Sequence, residues 1–383
     1  MMETLCVHPI YDLQGGGNSL VPDIRPSTAY RYLESETLQY PGFHTTYNQI
    51  RLGEVMAKLE HGSWGLALSS GMAAITTAIL GLVKEGDHII CTRELYGGTR
   101  KFAEHELPRR GIEVSYVGSS PVELENAITD RTKIIFMETP SNPLLDIFPL
   151  KAFTKVAKQY GLTTIVDNTF ATPINQLPLS LGVDIVVHSG TKFLGGHNDL
   201  FFGVLVGNRD SDREPIFGTA KLYGGALAAQ ECYQAERSIK TLALRVERQN
   251  TNAMAVAQFL YGHPLVEAVY YPGLESHSGH KVAKTQMTGY GGILSFTLKA
   301  TDKQVDNFLR GLTIIQPTLS LGGVESIICA PSTTSHRDLA PDQRLASGIT
   351  GNLLRLSVGI EDREDLKRDL GQAMEASLGH PNT

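Results

Sequence analysis

Residues 184–199 read DIVVHSGTKFLGGHND, and this stretch indicates both how the chain folds and where its chemistry lies. An apolar run typical of a buried strand, residues 185–187, leads into small and hydroxyl-bearing residues around a single lysine, Lys192. The glycines Gly195 and Gly196 follow at once. A buried strand that ends in such residues is typical of a site rather than of a core element.

Lys192 is a candidate nucleophile. A lysine at the end of a strand, with no carboxylate in the next few residues, can lose its proton when it is partly desolvated, as a Schiff base requires. Ser189 and Thr191 add hydroxyl groups of the kind that converge on a phosphate. Together they indicate pyridoxal phosphate bound covalently to Lys192. These residues alone leave open a second interpretation, a solvated lysine in a surface loop.

Composition narrows the class of protein. The chain has 383 residues, enough for two domains, and its net charge of −6 with 42% apolar residues argues against a nucleic-acid surface and against disorder. Its four cysteines lie far apart, so neither a disulfide framework nor a zinc site is expected, and a reducing cytoplasm fits best. No uncharged apolar stretch reaches the roughly 18 residues of a membrane span.

Apolar segments alternate with helical ones along most of the chain. Strands are expected at residues 88–91, 113–117, 133–137, 163–166, 184–187 and 202–206, with helices such as 122–128 and 150–160 between them. This order predicts a doubly wound, mainly parallel sheet. One long helix is expected over residues 223–248. The predicted organisation is an N-terminal arm at 1–50 that contacts a neighbouring subunit, a large domain at 51–249 and a small α+β domain at 250–383.

Several polar residues follow the predicted strands, at the edge where active sites of such sheets gather. Asp167 is placed to pair with a protonated pyridine nitrogen, and the ring of Tyr96 to stack on a planar ligand. The backbone N–H groups of Ser70, Gly71 and Met72 stand at a predicted helix start, where the helix dipole favours an anion. In isolation, each has an ordinary alternative: a turn cap, a half-buried tyrosine and a common helix start.

Arg355 lies inside an otherwise apolar strand, residues 353–358. A guanidinium among buried neighbours is costly unless a partner meets it, and its fork suits a carboxylate. Two partners remain open at this point. One is the α-carboxylate of an amino-acid substrate, and the other is a structural salt bridge with Glu361 or Asp362.

A set of motifs resembles the Cys/Met-metabolism pyridoxal phosphate enzymes, in order, over roughly residues 50 to 378. The motifs are SGMA at 70–73, YGGT at 96–99, ETPSNP at 138–143, VDNT at 166–169, SGTK at 189–192, SLGGVES at 320–326 and RLSVG at 355–359. The family includes cystathionine γ-synthases, γ-lyases and β-lyases, methionine γ-lyases and O-acylhomoserine sulfhydrylases. The resemblance implies an aspartate-aminotransferase-like fold (fold type I), with a seven-stranded type of sheet, and a homotetramer built as a dimer of dimers.

The resemblance also implies roles for individual residues. The catalytic residues would be Lys192, which binds the cofactor and moves protons, Asp167 at the pyridine nitrogen and Tyr96 on the ring. The other cofactor contacts would come from Ser70, Gly71, Met72, Asn142, Ser189 and Thr191, with Asn142 near the phenolic oxygen. The substrate contacts would come from Asn142, Ser320, Glu325 and Arg355, of which Ser320 and Arg355 would receive the carboxylate.

The chain departs from the family at one point. Members usually carry a Tyr-x-Arg that reaches the neighbouring subunit's phosphate; aligned on Tyr40 the arginine becomes Gly42, and aligned on Tyr47 it becomes Gln49. The hypothesis is that Arg51 or another cation replaces the missing arginine, and that Tyr40 or Tyr47 fills the tyrosine role.

Three further residues bear on the reaction type. Val324-Glu325 resembles γ-synthases and γ-lyases more than β-lyases, and Gly98 stands where methionine γ-lyases commonly have cysteine. The expected activity is γ-elimination or γ-replacement on a cystathionine-like or O-acylated homoserine substrate. The alternatives are a methionine γ-lyase, a cystathionine β-lyase, an O-acylhomoserine sulfhydrylase, an aminotransferase on the same fold and a non-catalytic homologue.

Overall fold

The computed structural model describes residues 2–9, 19–33, 35–337 and 340–379, so residues 10–18 of the predicted N-terminal arm lie outside it. The chain divides into two compact units. The first comprises Met1–Glu138 and Pro149–Ala243, and the second comprises Thr139–Phe148 and Leu244–Thr383. The second unit therefore takes a short segment from the middle of the sequence.

The first unit is a three-layer α/β structure. Its strands are β1 (Trp64–Leu68), β2 (His88–Thr92), β3 (Glu113–Val117), β4 (Thr132–Glu138), β5 (Thr163–Asp167), β6 (Ile185–Ser189) and β7 (Gly203–Gly207). Its helices are α1 (Met2–Val7), α2 (Tyr47–Leu59), α3 (Gly71–Leu82), α4 (Gly97–Lys101), α5 (Leu107–Arg109), α6 (Pro121–Ala127), α7 (Leu150–Gln159), α8 (Thr172–Asn175), α9 (Asp210–Tyr223) and α10 (Ala229–Ile239). Short helical turns of other types cover Pro41–Phe43, Phe102–Glu106 and Pro178–Leu181.

The strands form one seven-stranded sheet in the order β1-β7-β6-β5-β4-β2-β3. The five strands β6, β5, β4, β2 and β3 run parallel to one another. Strand β7 runs antiparallel to both of its neighbours, β6 and β1. Most of their side chains are buried on both faces, which is why these strands read as continuous apolar runs. The mainly parallel sheet is confirmed, and the residues that follow β2, β4, β5 and β6 meet at one edge.

Helix α2 lies directly on strand β1 through two glycines. A Cβ atom on Gly65 would stand 2.1 Å from the carbonyl oxygen of Gly53, and one on Gly53 would stand 2.5 Å from that of Gly65. Both obstacles are backbone, so a side chain at either position must push the helix off the strand. The two glycines therefore set the distance between α2 and the sheet.

Gly65→Ala is expected to lower the free energy of unfolding by about 3 kcal/mol, because overpacking here has no flexible neighbour to displace. Urea denaturation of the variant and the parent measures it. Gly218→Ala in α9 is the matched control: its Cβ meets nothing within 4 Å. It should leave stability unchanged or raise it by up to about 1 kcal/mol. Equal stability of Gly65→Ala and the parent would contradict the close contact.

The prediction of one long helix over residues 223–248 is wrong. Helix α9 ends at Tyr223, and Gly224 and Gly225 both have φ of +79°, a left-handed conformation in which a helix does not continue. Ala226 then forms a bridge to Leu68 beside β1. Two helices follow instead, α10 and α11 (Leu242–Tyr261).

The second unit is the expected small α+β structure. After α11 come β8 (Val266–Tyr270), α12 (His280–Gln286), β9 (Ile293–Leu298), α13 (Asp302–Gly311), β10 (Gln316–Pro317), β11 (Ile327–Cys329), α14 (Pro341–Ala346), β12 (Leu353–Ser357) and α15 (Arg363–Leu378). Its five strands form a sheet in the order β10-β11-β12-β9-β8, antiparallel except for β10 with β11. Within the described ranges, no helix has both the length and the apolar composition that crossing a membrane requires.

Candidate active site

Strands β5 and β6 place Asp167 and the Ser189–Lys192 segment at the same edge of the sheet. Asp167 is the last residue of β5, and Ser189 is the last residue of β6. A turn follows in which the Lys192 N–H donates to the Ser189 carbonyl oxygen at 3.2 Å and the Gly196 N–H donates to the Lys192 carbonyl oxygen at 2.7 Å. Lys192 is half-buried.

The Asp167 carboxylate is held by the residue two positions ahead. Its Oδ1 accepts hydrogen bonds from the backbone N–H of Thr169, at 3.0 Å, and from the Thr169 hydroxyl. Burial raises the pKa of Asp167, and the Thr169 hydrogen bonds and the nearby His188 offset only part of that rise. Asp167 is a fixed, buried carboxyl whose ionisation depends on its neighbours.

The start of helix α3 lies against Ser189. A Cβ atom on Gly71 would stand 2.7 Å from the Ser189 Cβ and 2.9 Å from its Oγ, so only glycine lets these two segments approach. Ser70 caps the helix by accepting a hydrogen bond from the Ala73 N–H at 3.0 Å. The first amides of a helix have no partner within it. Gly71, Met72 and the Ser189 hydroxyl therefore lie together as a small cradle, and their predicted contacts with a phosphate stay predictions.

Thr191 closes the turn on its far side. Its N–H donates to the Phe202 carbonyl oxygen at 3.2 Å, and its hydroxyl accepts from the Phe202 N–H at 3.2 Å. These bonds fix the turn between β6 and β7 in which Lys192 lies. The predicted phosphate contact of Thr191 stays a prediction.

Tyr96 directly precedes helix α4 and is 46% exposed. Its backbone N–H donates to Glu138 Oε2 at 2.7 Å, which ties it to the end of β4. A Cβ atom on Gly98 would stand 2.5 Å from the Tyr96 ring and 3.1 Å from the Met72 sulfur. Gly98 thus leaves room for the tyrosine ring beside Met72, and the ring stays available for stacking.

In the second unit, Arg355 is 5% exposed and stands in the middle of β12. Its Nη1 donates to Asn142 Oδ1 at 3.0 Å and its Nη2 donates to the Ser320 carbonyl oxygen at 2.9 Å. Its Nε is buried without a hydrogen-bond partner among the described residues. The structure thus brings together three of the four predicted substrate-binding residues, and the fourth, Glu325, is exposed.

The proposed structural salt bridge of Arg355 is not formed. The Glu361 carboxylate instead accepts from the N–H and hydroxyl of Ser326, and Asp362 accepts from the first N–H groups of α15. No carboxylate of the described residues lies within ion-pair distance of Arg355. A buried guanidinium with an unused N–H fits an external carboxylate.

The residues around the position of the missing arginine, Tyr40 to Arg51, include the start of helix α2. Gln49 is buried, and its Oε1 accepts from the Thr46 hydroxyl and N–H in a capping box. The Arg51 guanidinium donates to both oxygens of Glu236, with its Nη2 at 2.7 Å from Oε1. Tyr47 lies under the guanidinium of Arg25 at 4.0 Å, and Tyr40 is 49% exposed. The phosphate roles predicted for Tyr40, Tyr47 and Arg51 stay predictions.

Sequence reasoning missed two groups that organise the sheet edge. Thr169 fixes Asp167, and a buried pair formed by Glu60 and His188 lies at the ends of α2 and β6. The VDNT motif contained the first as a signal, because a threonine two residues after a strand-end aspartate can donate to it. No sequence pattern links Glu60 to His188, which are 128 positions apart.

A mainly parallel sheet with a half-buried lysine, a buried aspartate and a helix N-terminus at one edge is the arrangement that the sequence predicted for an α/β enzyme with a phosphorylated, nitrogen-containing ring. The comparisons agree with this class. Residues 3–375 match the model of the Cys/Met metabolism PLP-dependent enzymes, and the chain belongs to that family. It is therefore a pyridoxal phosphate enzyme of sulfur amino-acid metabolism.

Individual relatives cover nearly the whole chain. Over 379 residues it is 44% identical to a cystathionine gamma-lyase of Bacillus subtilis, with 97% of this chain and 99% of the relative aligned. It is 41% identical to a cystathionine beta-lyase of the same organism, with 98% and 96% aligned. The crystal structure of a cystathionine gamma-lyase from Lactobacillus plantarum, complexed with L-serine, superposes with a TM-score of 0.93 at 37% identity over 99% of both chains.

Proposed function

We propose that the enzyme catalyses γ-elimination or γ-replacement on a cystathionine-like or O-acylated homoserine amino acid. The observation that carries the proposal is Arg355: a buried guanidinium, held by Asn142 and the Ser320 carbonyl, with its Nε–H unused and no carboxylate partner among the described residues. Such a group recognises the α-carboxylate that every amino-acid substrate carries.

The site residues of the first unit that are named here each have a proposed part in the chemistry. Bound pyridoxal phosphate supplies an electron sink for charge that develops at the substrate α-carbon. Lys192 Nζ holds the cofactor and moves the α-proton, as a partly desolvated amine can. Asp167, fixed by Thr169, accepts the hydrogen bond of the ring nitrogen. The cradle of Gly71, Met72 and Ser189 binds the phosphate, and Tyr96 stacks on the ring.

Two observations favour the γ-carbon as the reacting position. The relatives include a cystathionine gamma-lyase at 44% identity, and Val324-Glu325 resembles γ-acting members. The 41% identity to a cystathionine beta-lyase keeps β-elimination as the second candidate. Both reactions use the same lysine, aspartate and carboxylate-binding arginine, so these residues do not separate them.

Product analysis with cystathionine decides between the two. Hydrolytic γ-elimination releases cysteine, 2-oxobutanoate and ammonia, whereas β-elimination releases homocysteine, pyruvate and ammonia. We expect 2-oxobutanoate, or cystathionine formation when O-acylhomoserine and cysteine are supplied together. Pyruvate and homocysteine as the main products would replace the proposal by β-lyase activity, and a pyridoxamine form of the cofactor without either keto acid would indicate an aminotransferase.

We further propose that a second copy of the chain completes the phosphate site in a homotetramer, with Tyr40 or Tyr47 and Arg51 as the contributed residues. The 49% exposure of Tyr40 supports this. Arg51 needs a careful test, because its removal would leave Glu236, only 5% exposed, as a buried carboxylate without its partner.

The double variant Arg51→Ala/Glu236→Gln is therefore compared with Glu236→Gln alone. The loss of one charged hydrogen bond to phosphate should weaken pyridoxal phosphate binding by about tenfold or more. Equilibrium dialysis of the apoenzymes measures the affinity, and light scattering measures the oligomer. Equal affinities in the two variants would reject Arg51 as the replacement cation.

A further inference from the structure

Strand β9 places Ser295 beside Arg355 in the sheet of the second unit. The two residues stand directly opposite each other in the antiparallel pair of β12 and β9, so their side chains lie on the same face of the sheet. Ser295 is fully buried. Its hydroxyl donates a hydrogen bond to the carbonyl oxygen of Pro143 at 2.7 Å, across 152 positions of the sequence. Ser295 thereby joins β9 to the short segment Thr139–Phe148 of the same unit.

The residue that Ser295 holds is the chain neighbour of a partner of Arg355. Asn142 directly precedes Pro143, and its Oδ1 accepts a hydrogen bond from Arg355 Nη1 at 3.0 Å. The proline ring fixes φ of Pro143, so few rotations remain between its carbonyl group and the Cα atom of Asn142. A fixed Pro143 carbonyl therefore limits where the Asn142 amide can lie. Ser295, Pro143 and Asn142 form a continuous path to the guanidinium.

The far end of the segment is held by a different residue. Gln286 Nε2 donates to the Phe148 carbonyl oxygen at 3.1 Å, at the end of the segment that is remote from Asn142. Within the described ranges, Ser295 is the one donor that reaches the Pro143 carbonyl oxygen. Loss of the Ser295 hydroxyl would leave that buried oxygen without its donor, and the change would fall on the part of the segment that contacts Arg355.

The direction of the Arg355 guanidinium depends on its two acceptors. Nη1 donates to Asn142 Oδ1, and Nη2 donates to the Ser320 carbonyl oxygen at 2.9 Å. A guanidinium is planar and presents its N–H groups in a fixed fork, so two occupied nitrogens set the direction of the third. The third nitrogen is Nε, which is buried without a hydrogen-bond partner in the part of the chain that the structure describes. If Asn142 moved, the guanidinium plane could turn about its remaining bond to Ser320.

We propose that Ser295 is a positioning residue for the substrate carboxylate: its hydroxyl holds the Pro143 carbonyl group, which fixes Asn142, and Asn142 orients Arg355. This role rests on the proposed function of Arg355 as the group that binds the carboxylate. Ser295 needs no contact with the substrate, because its effect passes through the segment and the guanidinium. It strengthens recognition of the carboxylate and leaves the rest of the substrate unaffected.

The test compares the binding of L-alanine and L-alaninamide to the holoenzyme, measured by the change in absorption of the bound cofactor. Both ligands carry the α-amine, neither carries a leaving group, and only L-alanine carries the carboxylate. In Ser295→Ala, the Kd of L-alanine should rise about five- to tenfold, as expected for the loss of one buried hydrogen bond, and that of L-alaninamide should change less than about twofold. Ser295→Thr keeps the hydroxyl and should bind both ligands as the parent does.

A second substitution shows whether the effect passes through Arg355. In the Arg355→Leu background, adding Ser295→Ala should change the Kd of L-alanine less than about twofold, because the guanidinium that Ser295 orients is absent. A purely structural role would weaken both ligands equally, or would weaken L-alanine as much in this background as in the parent. Either result overturns the proposal, and so does unchanged binding of L-alanine by Ser295→Ala.

Thr297→Val is the matched control. It removes a buried hydroxyl from the same strand, and because this hydroxyl makes no hydrogen bond to any described residue, both constants should stay within about twofold of the parent. Arg355→Leu alone is the reference. If it keeps the parent's preference for L-alanine, the carboxylate role of Arg355 fails; if it loses the preference and Ser295→Ala keeps it, only the role of Ser295 fails. Should Ser295→Ala not fold, Ser295→Cys, which donates only weakly, decides by the same comparison.

Discussion

Lys192→Ala is expected to lower turnover by more than about 10³-fold, because the proposed proton transfer and the covalent hold on the cofactor both depend on its amine. The fold should survive. Lys192 is half-buried in a turn that is held by backbone hydrogen bonds, which an alanine retains. Release of keto acid from cystathionine measures the activity, and thermal unfolding of the apoenzyme measures stability.

Two variants separate nucleophilicity from charge. Lys192→Arg keeps a cation at the position but cannot lose its proton, so it should be as inactive as Lys192→Ala. Lys58→Ala removes an exposed lysine of α2 and should leave activity unchanged. Borohydride reduction of the parent enzyme, followed by peptide mapping, should place the cofactor on Lys192. A label on any other lysine would remove the basis of the proposed mechanism.

The sheet and its polar edge were predictable because both leave local patterns. Strands buried on two faces read as apolar runs, and their ends read as sudden changes to small or polar residues, as at Asp167 and Ser189. Parallel pairing then brings these ends to one edge without any knowledge of contacts. The placement of Arg355 in a buried strand was equally visible, since a charge in an apolar run stands out.

Contacts between distant residues were not predictable in this way. The helical periodicity of residues 223–248 does not show that Gly224 and Gly225 adopt a positive φ, at which a helix ends. The role of Gln49 depends on Thr46 starting a helix there, and the partner of Glu60 depends on how α2 packs on the sheet. Such pairings depend on tertiary packing, which single-sequence periodicity does not encode.

Arg355→Leu is expected to reduce kcat/KM for cystathionine by about 10² to 10³-fold. Loss of a buried, charged hydrogen bond to a carboxylate costs about 3 to 4 kcal/mol, mainly because the substrate charge is then desolvated without a partner. Arg355→Lys should recover only part of the activity, because a single ammonium group cannot donate to Asn142, the Ser320 carbonyl and a carboxylate in the fork geometry of the guanidinium. Steady-state kinetics with each variant measures these losses.

A substrate without the carboxylate shows whether Arg355 recognises the substrate or only supports the fold. The parent enzyme should bind an amino acid far more tightly than its amide, as followed by the change in cofactor absorption, and Arg355→Leu should bind the two alike. Arg248→Lys is the matched control. This exposed arginine donates to the Glu361 carbonyl oxygen in the same unit, and its replacement should leave the discrimination intact. If Arg355→Leu still prefers the carboxylate as strongly as the parent does, the unused Nε of Arg355 has another purpose and the carboxylate binds elsewhere.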